Sequence, residues 1–267
     1  MDLSTGLPQP FDPHGSSFVE TLRRAAPQAM PSVFSSELPA PLREQVVEGT
    51  TVLAVVADGA VVMAGDRRAT AGNHISRADV RKVFEADRYS VVGVSGAAGP
   101  AMELARIFAT ELEHYEKVEG EPLSLEGKSS KLAAMVRANL PLAMQGLVVV
   151  PLFAGVDATT SQPQIFEYDP VGGRYVGTEQ AATGSGSLAA RATLKRLVEP
   201  SSSVDQAVRT AITALFDAAD EDSATGGPDL IRRIYPIIAV IDADGYRELD
   251  DPTVAAHVEE LSEARRR

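Results

Sequence analysis

The chain has 267 residues, 44% hydrophobic and 23% charged, the balance of a globular protein large enough to bury a core without disulfides or structural metal. It contains no cysteine, which excludes disulfides, thiolate metal sites and a cysteine nucleophile and fits a reducing compartment. A net charge of −12 argues against nucleic acid or an anionic membrane as a partner, and Arg265-Arg266-Arg267, the only basic cluster, reads as a solvated tail.

The start, Met1-Asp2-Leu3-Ser4, lacks a basic region and an apolar run, so no secretory signal is expected. Seven of the 17 prolines fall in residues 1–49, and no helical or strand period persists there. The expectation is a mostly extended leader, with a short helix possible at 17–26. The pattern then changes. Segments 51–57 and 60–66 are rich in β-branched residues, and Asp58-Gly59 between them is a hairpin signal. Counting outward from that turn places Thr51 opposite Asp66.

A strand is predicted at 89–95, ending in the small-residue turn Gly96-Ala97-Ala98-Gly99. A helix follows at about 100–118, its buried stripe marked by Ala98, Met102, Ala105, Ile107 or Phe108, Leu112 and Tyr115. A second helix covers 125–145, kinked or ended by Pro141. The longest uncharged apolar stretch, Gly146 to Val156, is too short to cross a bilayer. Strands return at 148–157, 164–168 and 174–178, the last two turned by Gly172-Gly173. Helices near 187–198 and 204–220, a hairpin of 234–241 with 246–249, and a helix at 253–264 complete the order. Strands and helices are segregated into blocks. This predicts an α+β fold, two stacked antiparallel sheets with helix layers outside.

The chemistry gathers at Gly49-Thr50. A threonine hydroxyl is a weak nucleophile and needs a base within reach. If the chain is cut before Thr50, that residue gains a free α-amine, with an unperturbed pKa of roughly 7.7–8.0. Nucleophile and base then share one residue. Gly49 suits the leaving side because a residue without Cβ tolerates a strained turn. Lys82, in Asp79-Val80-Arg81-Lys82-Val83-Phe84, can point inward from a short strand, and Asp66 is its candidate carboxylate partner. Whether Lys82 or the amine takes the proton stays open. The turn at Gly96 offers backbone N–H groups for an oxyanion. Thr183-Gly184-Ser185-Gly186-Ser187 opens a helix, where it can bind phosphate or simply cap. Asp220-Glu221-Asp222-Ser223-Ala224-Thr225-Gly226-Gly227 ends one. Together these supply Ser185, Asp222 and Thr225, which could hydrogen-bond the Thr50 amine. The four histidines have no partnered context, and the Gly-x-Ser-x-Gly pattern of a serine hydrolase fails at Ser95.

Gly49-Thr50-Thr51, the run Ala64-Gly65-Asp66-Arg67-Arg68-Ala69-Thr70, Arg81-Lys82-Val83, Gly184-Ser185-Gly186 and Asp222 to Gly227 resemble the catalytic β-subunit of the 20S proteasome. Glu111-Leu112-Glu113-His114-Tyr115-Glu116-Lys117 and Met135-Val136-Arg137 resemble its actinobacterial branch. The likeness covers about Gly49 to Asp250. It implies an N-terminal-nucleophile hydrolase with a four-layer αββα sandwich, a propeptide at 1–49 removed by self-cleavage between Gly49 and Thr50, and a catalytic domain at 50–267. By matching positions Thr50 would be nucleophile and base, Asp66 and Lys82 its activators and Gly96 the oxyanion donor. Ser185, Asp222 and Thr225 would support the amine; many relatives have serine where Thr225 stands. Ala69, Val80, Phe84, Val94, Ala98 and Met102 would line the pocket for the residue before the cut, all uncharged, so cleavage after apolar residues is expected. Thr70 would bind substrate backbone. The resemblance also implies seven-membered β-rings between α-subunit rings, a regulatory ATPase unfoldase, polypeptide substrates that in actinobacteria carry a prokaryotic ubiquitin-like protein, no metal or other cofactor, and a cytoplasmic location. The rival readings are a non-catalytic ring subunit of the same fold and an amidohydrolase acting on small molecules.

Overall fold

A computed structural model describes residues 49–72, 74–199 and 201–266. The leader and the short helix expected at 17–26 lie outside the described residues. The first hairpin forms as its turn predicts: β1 (Thr51–Ala57) and β2 (Ala60–Gly65) pair in register from Ala57↔Ala60 to Val52↔Gly65. Gly59 closes it with φ +65°, a left-handed conformation that favours glycine. Next come β3 (Ala69–Ala71) and β4 (His74–Arg77), a small two-stranded sheet, then β5 (Val83–Asp87) and β6 (Ser90–Gly96). Helices α1 (Ala98–Glu119), α2 (Leu125–Ala138) and the short α3 (Leu140–Ala143) follow. Strands β7 (Val149–Val156), β8 (Pro163–Tyr168), β9 (Arg174–Val176) and β10 (Gln180–Gly184) lead to α4 (Ser187–Leu197) and α5 (Val204–Glu221). The hairpin β11 (Ile237–Asp242) and β12 (Gly245–Glu248) and the helix α6 (Asp251–Arg266) end the chain.

Two five-stranded antiparallel sheets result, ordered β10-β1-β2-β11-β12 and β5-β6-β7-β8-β9. The strands β1, β2, β6, β7 and β11 are buried on both faces, so they read as nearly continuous apolar runs. In β1, Val52 and Ala54 face the other sheet, while Leu53 and Val55 face helices α4 to α6. In β2 the same alternation sends Val61 and Met63 inward and Val62 and Ala64 to the helices. A third apolar layer joins Val92, Phe153 and Phe166 of the second sheet to Phe108 of α1 and Leu132 of α2. This is the αββα sandwich.

Several elements differ from expectation. Helix α2 stops at Ala138, capped at Asn139, and Pro141 sits inside the first turn of α3, where a missing N–H costs nothing. In α1 the buried stripe runs through Ala101, Leu104, Ala105, Phe108 and Leu112. Ile107 and Tyr115 are exposed, and Ala98 and Met102 are only half-buried because they face a cleft. Strands β3, β4 and β10 were not predicted. β10 consists of poor strand formers, Gln-Ala-Ala-Thr-Gly, and exists because it pairs with β1 from Val55↔Gln180 to Thr51↔Gly184.

The two sheets pack closely at Gly93 of β6. A Cβ there would lie 2.3 Å from Val52 Cγ1 and 2.9 Å from Met63 Sδ. Val52 is stiff at χ1 and cannot turn away. Gly93→Ala is therefore expected to lower stability by about 1–3 kcal/mol, read as a shift of the urea midpoint with little change in m-value.

Candidate active site

Thr50 sits at the head of β1, which is held on both sides by β10 and β2. Its hydroxyl donates to the Gly49 carbonyl at 2.5 Å. Gly49 has φ +94°, and a Cβ on it would meet the Thr70 hydroxyl at 2.6 Å and the Ala224 carbonyl at 2.9 Å, so only glycine fits. The hairpin delivers Asp66 beside this junction. Thr51 N–H donates to Asp66 Oδ1 at 2.8 Å, and Asp66 N–H donates to the Thr51 carbonyl at 3.1 Å. The Asp66 side chain is wholly buried, and its Oδ2 accepts the N–H groups of Arg68 at 2.9 Å and Gly226 at 2.8 Å.

Lys82 enters from the segment before β5 and is also buried. Its Nζ donates to Asp66 Oδ1 at 2.7 Å, to the Gly49 carbonyl at 2.9 Å and to the Arg68 carbonyl. An ammonium has three N–H bonds, so these three acceptors complete its set. Burial pulls the Lys82 pKa below the ordinary lysine value, and the Asp66 charge opposes that fall.

A second arm lies on the other side of Thr50. The Ser185 N–H donates to the Thr50 carbonyl at 2.9 Å. The Ser185 hydroxyl lies 2.5 Å from Asp222 Oδ2, and the Thr225 hydroxyl donates to the same oxygen at 2.6 Å. Burial pushes the Asp222 carboxyl up, but the hydrogen bonds from Ser185, Thr225 and the Ala224 N–H outweigh it and hold the group below the ordinary aspartate value. Gly96 ends β6 with φ +101°, and a Cβ there would fall 2.0 Å from the Val148 carbonyl oxygen.

Thr50, Lys82 and Gly96 line one cleft with Ala69, Val80, Val94, Ala98 and Met102, five of the six expected pocket residues. The sixth, Phe84, is not among the residues of that cleft wall; it pairs with Val92, and its half-buried side chain packs against the apolar layer under α1. Ala101 and Arg81 join the wall instead. The Arg81 guanidinium is engaged by Glu248 in a two-pronged ion pair at 2.6 and 3.0 Å, with its pKa raised by that partner. Thr70, in β3, pairs with Ile75 of β4 and lies against Gly49.

Four contributors escaped the sequence reading. Arg68 supplies an N–H to Asp66 and a carbonyl to Lys82, and its guanidinium reaches the Ser223 and Thr225 carbonyls, both at 3.2 Å. Gly226 supplies an N–H to Asp66. Thr51 and Gly186 join the Thr225 hydroxyl from below, through Thr51 Oγ1. Backbone donors leave no mark in residue type, and Thr51 reads as one more β-branched strand residue. Among the described residues no group of three His, Asp or Glu side chains is placed to hold a metal ion.

The proteasome subunit family matches residues 46–231. A proteasome subunit beta of Acidothermus cellulolyticus is 54% identical over 265 residues, covering 97% of this chain and 91% of the relative. Those of Acidimicrobium ferrooxidans and Frankia casuarinae are 52% and 51% identical, covering 95% and 96% of this chain and 93% and 94% of the relatives. The sandwich, the matched residues and these actinobacterial relatives establish that the chain belongs to the proteasome subunit family and is of the β type.

Proposed function

We propose that the chain is the precursor of a self-processing threonine endopeptidase, the proteolytic subunit of a barrel-shaped proteasome. One observation carries the reading: the Thr50 hydroxyl and the Lys82 ammonium converge on the Gly49 carbonyl oxygen. In the first reaction Thr50 Oγ1 attacks the Gly49 carbonyl carbon, and Lys82 polarises that carbonyl from its oxygen. The Gly49–Thr50 C–N bond breaks, an ester forms on Oγ1, and the nitrogen takes up the proton that the hydroxyl gives away, becoming the α-amine of Thr50. Water then cleaves the ester and releases residues 1–49. Attack within one residue starts from a high effective concentration.

The second reaction is peptide hydrolysis. With the Gly49 carbonyl gone, one Lys82 N–H turns to the Thr50 hydroxyl. The free amine, with a pKa of roughly 7.7–8.0 when unperturbed, takes the hydroxyl proton as Oγ1 attacks the scissile carbonyl. The Gly96 N–H receives the oxyanion. The ammonium returns its proton to the departing amine, and water hydrolyses the acyl-enzyme. Ser185, Asp222 and Thr225 hold the amine. Ala69, Val80, Val94, Ala98 and Met102 favour an apolar residue before the cut, and Thr70 pairs with substrate backbone. Seven-membered β-rings stacked between α-rings, an ATPase unfoldase, substrates tagged by a prokaryotic ubiquitin-like protein and a cytoplasmic location complete the proposal.

Thr50→Ala should retain the leader in intact-mass measurements of the assembled particle and hydrolyse no peptide; turnover by that variant overturns the nucleophile assignment. Lys82→Ala should also remain unprocessed. It leaves Asp66 buried without its cation and should cost about 3–5 kcal/mol of stability, read by urea denaturation beside the wild type.

Asp222 gives a pH signature. Its folded pKa lies below the unfolded value, so its stabilising contribution is present above the unfolded pKa of about 3.9 and is lost as pH falls through the folded one. The stability gap between wild type and Asp222→Asn should be flat from pH 7 to 5 and narrow below about pH 4, measured as urea midpoints at each pH.

A further inference from the structure

Thr51, the residue after the proposed nucleophile, is fully buried, and its hydroxyl has two polar partners. It contacts the Thr225 hydroxyl at 2.6 Å and accepts the Gly186 N–H at 3.1 Å. The proton directions in this chain are fixed by counting. Asp222, held ionised, can only accept. The single Thr225 hydroxyl proton therefore goes to Asp222 Oδ2, at 2.6 Å. The contact between the two threonines must then carry the Thr51 proton, and the Thr51 lone pair receives Gly186. The Ser185 proton goes to Asp222 at 2.5 Å in preference to the Thr50 carbonyl at 3.3 Å, which leaves the serine lone pairs for an N–H of Thr50.

The arrangement is built. A Cβ at Gly186 would lie 2.5 Å from Thr51 Oγ1 and 2.7 Å from Thr225 Oγ1, so the amide reaches the hydroxyls only because that position is glycine. Thr51 is also anchored from its backbone, through Asp66 on the opposite side. One residue thus joins both carboxylate arms. Hydrogen bonds polarise one another along such a chain, so its first member influences its last.

We propose that Thr51 is a positioning residue: by donating to Thr225, its hydroxyl holds the Asp222 carboxylate, and through it the Ser185 hydroxyl, in place around the Thr50 amine. The proposal rests on Thr50 being the nucleophile. Thr51 touches neither substrate nor the reacting atoms and acts only through Thr225.

The test uses full-length protein assembled into particles, with active sites counted by a peptide vinyl sulfone and the labelled residue found by mass spectrometry. Thr51→Val keeps the shape of the side chain and removes the hydroxyl. We expect kcat per labelled site to fall about tenfold, the worth of one buried hydrogen bond, with KM changed less than about twofold. The acid limb of kcat/KM should move to lower pH, because a less firmly held Asp222 stabilises the ammonium less. Thr51→Ser should restore both values. In a double-mutant cycle, adding Thr51→Val to Thr225→Val should cost nothing further. If the valine variant fails to fold, Thr51→Ala removes the same hydroxyl without added volume and takes its place. Unchanged kcat and pH profile, additive losses in the cycle, or a loss shared by Thr51→Ser overturn the positioning role. Absence of label on Thr50 in the wild-type particle instead overturns the nucleophile reading, so the two failures are separable.

Discussion

The buried ion pair between Asp66 and Lys82 is the constraint on which the rest depends. Two charges removed from water are tolerable only when paired and hydrogen-bonded to completion. Here both are. The Asp66 oxygens accept from Thr51, Arg68, Gly226 and Lys82, and the ammonium fills its set with Asp66, Arg68 and Gly49. Those partners come from the head of β1, the segment after β2, the approach to β5 and the loop after α5. Neutralising one buried charge therefore fixes four stretches of chain against each other, and the cleft is what lies between them.

The sandwich makes this possible. A one-residue slip would exchange the β1 side chains packed on the helices with those packed on the other sheet, and the turn at Gly59 fixes the hairpin, so the register of β1 with β2 is strongly specified. That register sets Asp66 at the level of Thr51. The second sheet contributes through β6, whose last residue, Gly96, bends away where a side chain would strike the Val148 carbonyl. Backbone geometry places the polar groups, and the apolar layers hold the backbone.

Much of this was legible because it is local. Asp58-Gly59 and the alternation around it gave the first hairpin, and with it the placing of Asp66 beside Thr51. The Asp66–Lys82 partnership followed from the cost of burying a lone charge. What escaped is non-local. β10 has no propensity of its own and is a strand by virtue of β1. Phe84 shares a face with Val94, but how far along the strand the cleft reaches depends on where α1 packs. Gly226 and Gly186 act through N–H groups that every residue but proline carries, and only folding shows which of them meet a carboxylate or a hydroxyl.

Chain ends are ordinarily the most mobile part of a protein. A chain severed before Thr50 would begin at the mouth of a middle strand, laddered to β10 from its second residue and to β2 from its third. Such an end has almost no freedom to lose. Its amine would be created already in place, with no later docking step, so under the proposed mechanism the entropy of arranging nucleophile and base is settled during folding, before any bond is broken.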